Sequence, residues 1–268
     1  MECASMNQLT VLGKACDTDG GYRFSYIAAD MTRAYDEETV KEVTRHMLSV
    51  MTDDKAHPMV FATFDRITAV KSYFKKTALL HSQSAPTVTD DGFVIITNTK
   101  GENNGKLVAQ SLLTDMSVSV FGDGNGAEYT IQDTVFKPRS YDYSDPDYRI
   151  ELSPKSPSET DLILTVMYVT DADNGETPVK AADISTEKLV GALLFDRALL
   201  FARDKELLSE SFTVELPCVS KSIGVTVAGV RAGKWQIGDT VLEVKEGEGI
   251  LSFTTAESHT VITPINAN

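Results

Sequence analysis

Met59-Val60-Phe61-Ala62-Thr63-Phe64-Asp65 is apolar at nearly every position and fails to alternate. A strand with apolar side chains on both sides needs cover on both faces. Similar signals surround it: Val, Ile, Thr, Phe and Tyr gather in short runs broken by Gly, Asn, Asp and Pro. The runs that read as strands are Thr10–Lys14, Arg23–Ala28, Val40–Met51, Met59–Thr68, Lys76–Ser82, Gly92–Asn98, Lys106–Leu113, Ser117–Phe121, Tyr148–Pro154 and Asp161–Val169. Breaks fall at Thr52–Pro58, Ala85–Asp91, Gly101–Gly105 and Gly122–Gly126. Asp36-Glu37-Glu38 opens like a helix, with acidic residues in its first turn. The positions beyond it, Val40, Val43, His46, Met47 and Val50, fit neither period cleanly, and the surrounding strands favour strand.

Asp171–Pro178 (DADNGETP) is a turn cluster, and the strand pattern restarts after it: Leu189–Phe195, Ala198–Ala202, Ser211–Leu216, Lys221–Val227, Lys234–Ile237, Thr240–Lys245, Gly249–Thr254 and His259–Thr263. Leu242–Val244 and Ile250–Phe253 flank Gly247-Glu248-Gly249, which reads as a hairpin. The expected architecture is all-β: a large antiparallel β-sandwich over 1–178, then a smaller C-terminal antiparallel β-domain over 179–268.

The chain has 268 residues, 25 Lys+Arg against 39 Asp+Glu, and a net charge of −14. Its basic residues are scattered, which argues against a nucleic-acid partner. The same sign disfavours whole-surface attraction to anionic lipid or polysaccharide but leaves room for a local basic cleft. No apolar run approaches the roughly 20 residues of a membrane-spanning helix, so no membrane partner is expected. The opening MECASMNQLT lacks the basic and apolar regions of a signal peptide. Cys3, Cys16 and Cys218 show no CxxC spacing and read as free thiols.

His46, His57, His81 and His259 are irregularly spaced, with no HxH or HExxH. His57, beside Pro58 in a charged loop, reads as exposed, and His81 as a histidine at a sheet end. Gly122–Gly126 (GDGNG) lacks the Lys-Ser/Thr of a phosphate loop and the ligand count of a calcium loop, and reads as a turn, as does Asp171–Glu176. There is no GxSxG. A phenol can serve as acid or base beside a cation, which brings forward Tyr35 near Arg33, and Tyr141 and Tyr143 near Arg139. Tyrosines that simply edge a sandwich remain the plainer reading.

Several segments follow one another in a recognisable order: Ala29-Asp30-Met31-Thr32-Arg33-Ala34-Tyr35, Val43-Thr44-Arg45-His46, Val60–Ile67 (VFATFDRI), Phe74–His81 (FKKTALLH) with Pro86, Asn104-Gly105-Lys106-Leu107 ahead of Leu112-Leu113, and Tyr148–Pro154 (YRIELSP). With Val190–Phe201 and Gly233-Lys234-Trp235 through Gly249, they resemble the C-terminal half of heparinase II/III-like polysaccharide lyases, from about Tyr22 to Pro264. Tyr148 stands where that family usually has Trp. The resemblance implies an enzyme that abstracts the proton α to a uronate carboxyl group and eliminates the glycosidic oxygen. Its Tyr and His chemistry sits mainly on an N-terminal α/α toroid and the first sandwich strands, and its structural zinc is held through an HxHxD segment. This sequence shows neither toroid helices nor HxHxD, so no catalytic residue, zinc ligand or other cofactor carries over.

Tyr35, Asp65, Arg66 and His81 remain as substrate-side candidates, with Asp65-Arg66 expected to form a strand-end ion pair. The expectation is a non-catalytic sandwich portion, a truncated form or gene fragment, that braces the toroid and walls the substrate cleft. Its partners would be an acidic polysaccharide and either the toroid or a second copy, associating through an apolar face near Met59–Phe64. The full-length family is periplasmic or secreted. Two alternatives stay open: a stand-alone carbohydrate-binding module, for which a single Trp235 is thin support, and a complete lyase with a Tyr/His site on sandwich loops. Elemental analysis of the purified protein should find no stoichiometric zinc; about one zinc per chain would revive His46, His57 and His81 as ligands.

Overall fold

A computed structural model describes residues 9–17, 23–98, 103–122, 127–131, 134–136, 147–217 and 221–265. Cys3, Cys218, Asp123–Gly126, Arg139, Tyr141 and Tyr143 lie outside them. The strands, in chain order, are β1 (Thr10–Asp17), β2 (Phe24–Asp30), β3 (Val40–Met51), β4 (Met59–Ala69), β5 (Ala78–Ser82), β6 (Pro86–Val88), β7 (Val94–Asn98), β8 (Gly105–Leu112), β9 (Met116–Gly122), β10 (Thr130–Ile131), β11 (Thr134–Val135), β12 (Tyr148–Pro154) and β13 (Thr160–Asp171). Then follow β14 (Ala182–Asp183), β15 (Leu189–Leu194), β16 (Arg197–Ala202), β17 (Phe212–Glu215), β18 (Ile223–Ala228), β19 (Gly233–Ile237), β20 (Thr240–Val244), β21 (Ile250–Thr255) and β22 (His259–Ile265). Among the described residues no helix is long and apolar enough to cross a membrane.

Four sheets stack face to face. An eight-stranded antiparallel sheet, β1-β2-β3-β4-β13-β8-β7-β6, is overlaid on one face by the three-stranded sheet β5-β12-β9. Its other face meets the five-stranded sheet β14-β15-β16-β18-β21, which is covered in turn by the four-stranded sheet β17-β22-β19-β20. A short β10-β11 pair stands apart. Strand alternation explains the stack. On β4, Val60, Ala62 and Phe64 are fully buried with Leu199 and Phe201 of β16, while Phe61 and Ile67 pack the opposite way with Ile150 and Leu152. β16 is itself buried throughout, with Ala198 and Leu200 facing the fourth layer. The stretch Met59–Phe64 therefore finds cover on both sides from this chain's own sheets, where an open face was expected.

β3 settles the ambiguous segment as strand. Asp36–Thr39 is a turn, closed by the Thr39 and Val40 amides donating to the Asp36 carbonyl at 3.0 and 2.9 Å, and Val40–Met51 then pairs with β2 on one side and β4 on the other. Three expectations change. Pro86–Val88, read as part of a break, is an edge strand, where the missing proline N–H costs no ladder bond. β20 and β21 are not a hairpin: β20 pairs with β19 in the outer sheet and β21 with β18 in the five-stranded sheet, so Gly247–Gly249 carries the chain between layers. The hairpin here is β19–β20, turned at Gly238-Asp239 with Gly238 at φ 54°. Finally, β16 and β18 pair in parallel within the otherwise antiparallel C-terminal sheets.

Arg66 ties the two central layers together. Its Nη2 donates to the carbonyls of Arg203 (2.6 Å) and Ala202 (3.2 Å) at the end of β16, and its Nη1 lies 3.4 Å from Glu42 Oε1. The side chain is only 7% exposed. Removing it strands buried acceptors, so Arg66→Met should lower the unfolding free energy by about 3 kcal/mol in urea titration. A change under about 0.5 kcal/mol would show that the clamp contributes little.

Candidate functional site

The segments Phe74–His81 and Tyr148–Pro154, far apart in sequence, are neighbours in space. β5 and β12 pair in the three-stranded sheet, with His81 opposite Arg149 and Leu79 opposite Glu151, and β9 brings Phe121 to the other side of Arg149. Alternation turns Ile150 and Leu152 inward and leaves Arg149 and Glu151 on the outer face. The Arg149 guanidinium lies 4.7 Å over the Phe121 ring. Its Nη1 donates to the Glu128 carbonyl at 2.6 Å, and its Nε to Glu151 Oε1 at 3.2 Å. Lys75 Nζ donates to Glu151 Oε2 at 3.0 Å. Glu151 thus sits between two cations, and the cluster keeps a net positive charge. His81 is exposed beside it. Partial burial, and secondarily the Arg149 charge, lower its pKa and favour the neutral imidazole, which can both donate and accept a hydrogen bond.

Asp65 and Arg66 do not pair with each other. Consecutive residues on a strand point to opposite faces, so Arg66 faces the five-stranded sheet while Asp65 faces the other way. Asp65, 2% exposed, takes Arg45 from β3 in a two-point bond, Nε to Oδ1 at 2.6 Å and Nη2 to Oδ2 at 2.8 Å. Nor is either at a strand end, since β4 runs on to Ala69. The carboxylate raises the Arg45 pKa further. The Asp30–Tyr35 loop is pinned by the Thr32 amide donating to Asp30 Oδ1 (2.9 Å) and the Val43 amide donating to Thr32 Oγ1 (3.0 Å). Tyr35 is 51% exposed. Arg45, on β3, also lies near it. No hydrogen bond or ion pair joins Tyr35 to His81 among the described residues.

One histidine sits otherwise than expected, and a second is enclosed in the core. His57 is buried: its ring stacks on Phe195 at 4.3 Å, its Nδ1 lies 2.8 Å from Asp54 Oδ2, and its Nε2 lies 3.6 Å from Glu176. The loop that carries it folds back between layers. His46 is enclosed by Phe64 and Phe201, and its Nδ1 is 3.0 Å from the Tyr26 hydroxyl. Burial, helped by the Arg66 charge, lowers its pKa to about 4. Burial holds the Tyr26 pKa above its usual value, so the phenol stays protonated and donates to the neutral ring. Among the described residues no group of three His, Cys, Asp or Glu is placed to hold a metal. Trp235 is buried against Phe212, with Nε1 donating to the Arg231 carbonyl at 3.0 Å, and offers no face to a sugar. Arg149, Glu151 and Lys75 lay inside the quoted motifs without being singled out; the Arg-x-Glu spacing on a strand, which puts both on one face, was the available signal.

A four-layer all-β stack whose outer sheet carries Arg149, Glu151 and Phe121 on its exterior side is the class of structure defined here. Residues 183–264 match the family model for the Heparinase II C-terminal domain. Over that span the chain is similar to a heparinase C-terminal domain; the quoted motifs before residue 183 lie outside it. No curated protein matches the chain. Among solved structures, a mutant of heparan sulfate lyase HepC from Pedobacter heparinus is similar at 13% identity and a TM-score of 0.39, over 69% of this chain and 26% of that one. The chain thus spans about a quarter of that lyase's length.

The His46 environment sets a pH dependence. Unfolded, the imidazole titrates near 6.5; folded, near 4. Between those values the unfolded state binds more protons, so stability is fully present above about pH 6.5 and is lost as pH falls toward 4, by about 3 kcal/mol. Urea denaturation at pH 7, 5.5 and 4 should show this loss, and His46→Leu should flatten it. An unchanged slope in the variant would assign the loss to other groups.

Proposed function

We propose that this chain is the non-catalytic β-sandwich part of a heparinase-like lyase that cleaves acidic polysaccharide by β-elimination at a uronate. In this reading a separate α/α toroid carries the proton-transfer groups, and the sandwich braces it and forms one wall of the substrate cleft. The two units proposed from the sequence, 1–178 and 179–268, act as halves of one stack sharing the core around Phe64 and Phe201. The match of residues 183–264 to a heparinase C-terminal domain is the observation that carries the reading. The state of the candidate side chains agrees with it. Asp65 and Arg66 are buried and engaged in holding strands and layers, and Tyr35 lies on the β2–β3 loop of the eight-stranded sheet while His81 lies on the three-stranded sheet.

Incubation of the purified chain with heparin, heparan sulfate, alginate or chondroitin should yield no unsaturated uronate, followed by ultraviolet absorbance. Product that forms with the purified chain and disappears on Tyr35→Phe or His81→Ala would overturn the non-catalytic role in favour of a complete site on the sandwich.

A further inference from the structure

Beside the outer sheet lies a groove that none of the preceding residues explains. One wall is Ser72–Lys76, in the β4–β5 connection, and the other is Lys155–Ser158, in the β12–β13 connection. Tyr73 stands on the first wall with 66% of its surface exposed, the most open of the large apolar side chains among the described residues. Its ring is not loose. Lys71 Nζ lies 5.6 Å from the ring centroid, and Phe74, half-buried, packs 4.9 Å away. A turn, with the Phe74 amide donating to the Lys71 carbonyl at 3.1 Å, holds the segment in shape. The result is a fixed planar face presented to solvent.

Lysines gather around that face. Lys76 is buried at the groove floor, 3.0 Å from Asp161 and bonded to the Ser158 carbonyl. Lys75 lines the groove while its amine reaches Glu151, which joins the groove to the Arg149 cluster. Lys155, on the opposite wall, meets Asp115 at 2.9 Å, but both side chains are more than half exposed, so that pair is weak and open to exchange. Lys71 forms no ion pair among the described residues. Among the described residues that leaves Lys71 outside any ion pair and Lys155 only weakly paired beside the Tyr73 ring.

We propose that this groove binds an acidic polysaccharide, with the apolar face of one pyranose on the Tyr73 ring and its carboxylate or sulfate groups on Lys71 and Lys155. This rests on the polysaccharide reading above and names the surface that would hold the chain. An aromatic ring among lysines also suits single-stranded nucleic acid, whose bases stack and whose phosphates take cations. Hydroxyls from Ser72 and Ser156 line the groove and can exchange hydrogen bonds with sugar hydroxyls, which a DNA backbone lacks.

Isothermal titration calorimetry of the purified chain with a heparan sulfate hexasaccharide, and with an alginate hexamer as the unsulfated arm, tests this. At least one should bind, and Tyr73→Ala should weaken that binding about tenfold, as loss of a stacked ring does. Lys71→Ala combined with Lys155→Ala should weaken it as well and flatten its salt dependence. Both variants should keep the parent melting temperature, because the altered side chains are exposed. Lys41→Ala, an exposed cation paired with Glu159 outside the groove, should bind as the parent does. Full affinity in Tyr73→Ala, no heat from either oligosaccharide up to about 1 mM (a free energy near −4 kcal/mol), or an oligothymidylate of equal charge binding as tightly through Tyr73 would each overturn the proposal. Unsaturated product in the preceding assay would overturn the non-catalytic role and leave the groove untouched. Tyr73-independent binding without product would remove the groove alone.

Discussion

Everything in this fold depends on the contact between β4 and β16. Phe64 and Phe201 meet with ring centroids 5.4 Å apart, and the neutral His46 closes against both. Each strand is the middle of its own sheet and is buried on both faces, so each must satisfy two neighbours at once. A sheet with two covered faces cannot slip register, because a one-residue shift would exchange the side chains of the two interfaces. That requirement explains why β4 carries no clean alternation. Both of its faces are apolar because both are inside.

Such a core leaves few places for charge, and the structure puts charge at the rim of the layers. Arg66 bonds the carbonyls that end β16, and Arg197, at the other end of the same strand, reaches the Met51 carbonyl at 2.7 Å at the end of β3. The two guanidiniums act in the same way: several donors in a fixed fork satisfy carbonyls where strands run out of ladder partners. Their burial is tolerated because acceptors surround them, and Asp196 adds a carboxylate 2.8 Å from Arg197. The central layers are thereby fastened at both ends of β16.

Much of this could be read from the residues, because strand signals are local. Val40–Met51 and Tyr148–Pro154 begin and end where their composition says, and Met59–Phe64 announced its two-sided burial. What failed was whatever depended on which strand lies beside which. Gly247–Gly249 has the chemistry of a hairpin turn, and only the competing partners β18 and β19 reveal that it links two layers. His57 follows Asp53-Asp54-Lys55 and looks exposed, yet Phe195, well over a hundred residues on, supplies the ring that buries it. Asp65 and Arg66 invite pairing by adjacency, which the strand period forbids. The outer-sheet cluster was half legible: Arg149 and Glu151 share a face by spacing alone, whereas His81 and Phe121 join them only through pairing.

The distribution of charge connects the fold to the functional reading. A net charge of −14 repels an anionic polymer at a distance, and screening limits that repulsion to about 10 Å at ordinary salt. Closer in, local composition decides. The outer sheet and its adjoining loops gather Lys71, Lys75, Lys76, Lys155 and Arg149 on the far side of the stack from the four-stranded layer. Glu151 and Asp161 keep two of these lysines extended and in place, so their positions are set before any anion arrives. Preorganised cations lose less side-chain freedom on binding than free ones. Lys71 and Lys155, exposed beside the Tyr73 ring, are the lysines of this group left to meet an incoming anion. Under the proposed function, that arrangement serves to hold a chain in register beside a neighbouring active site.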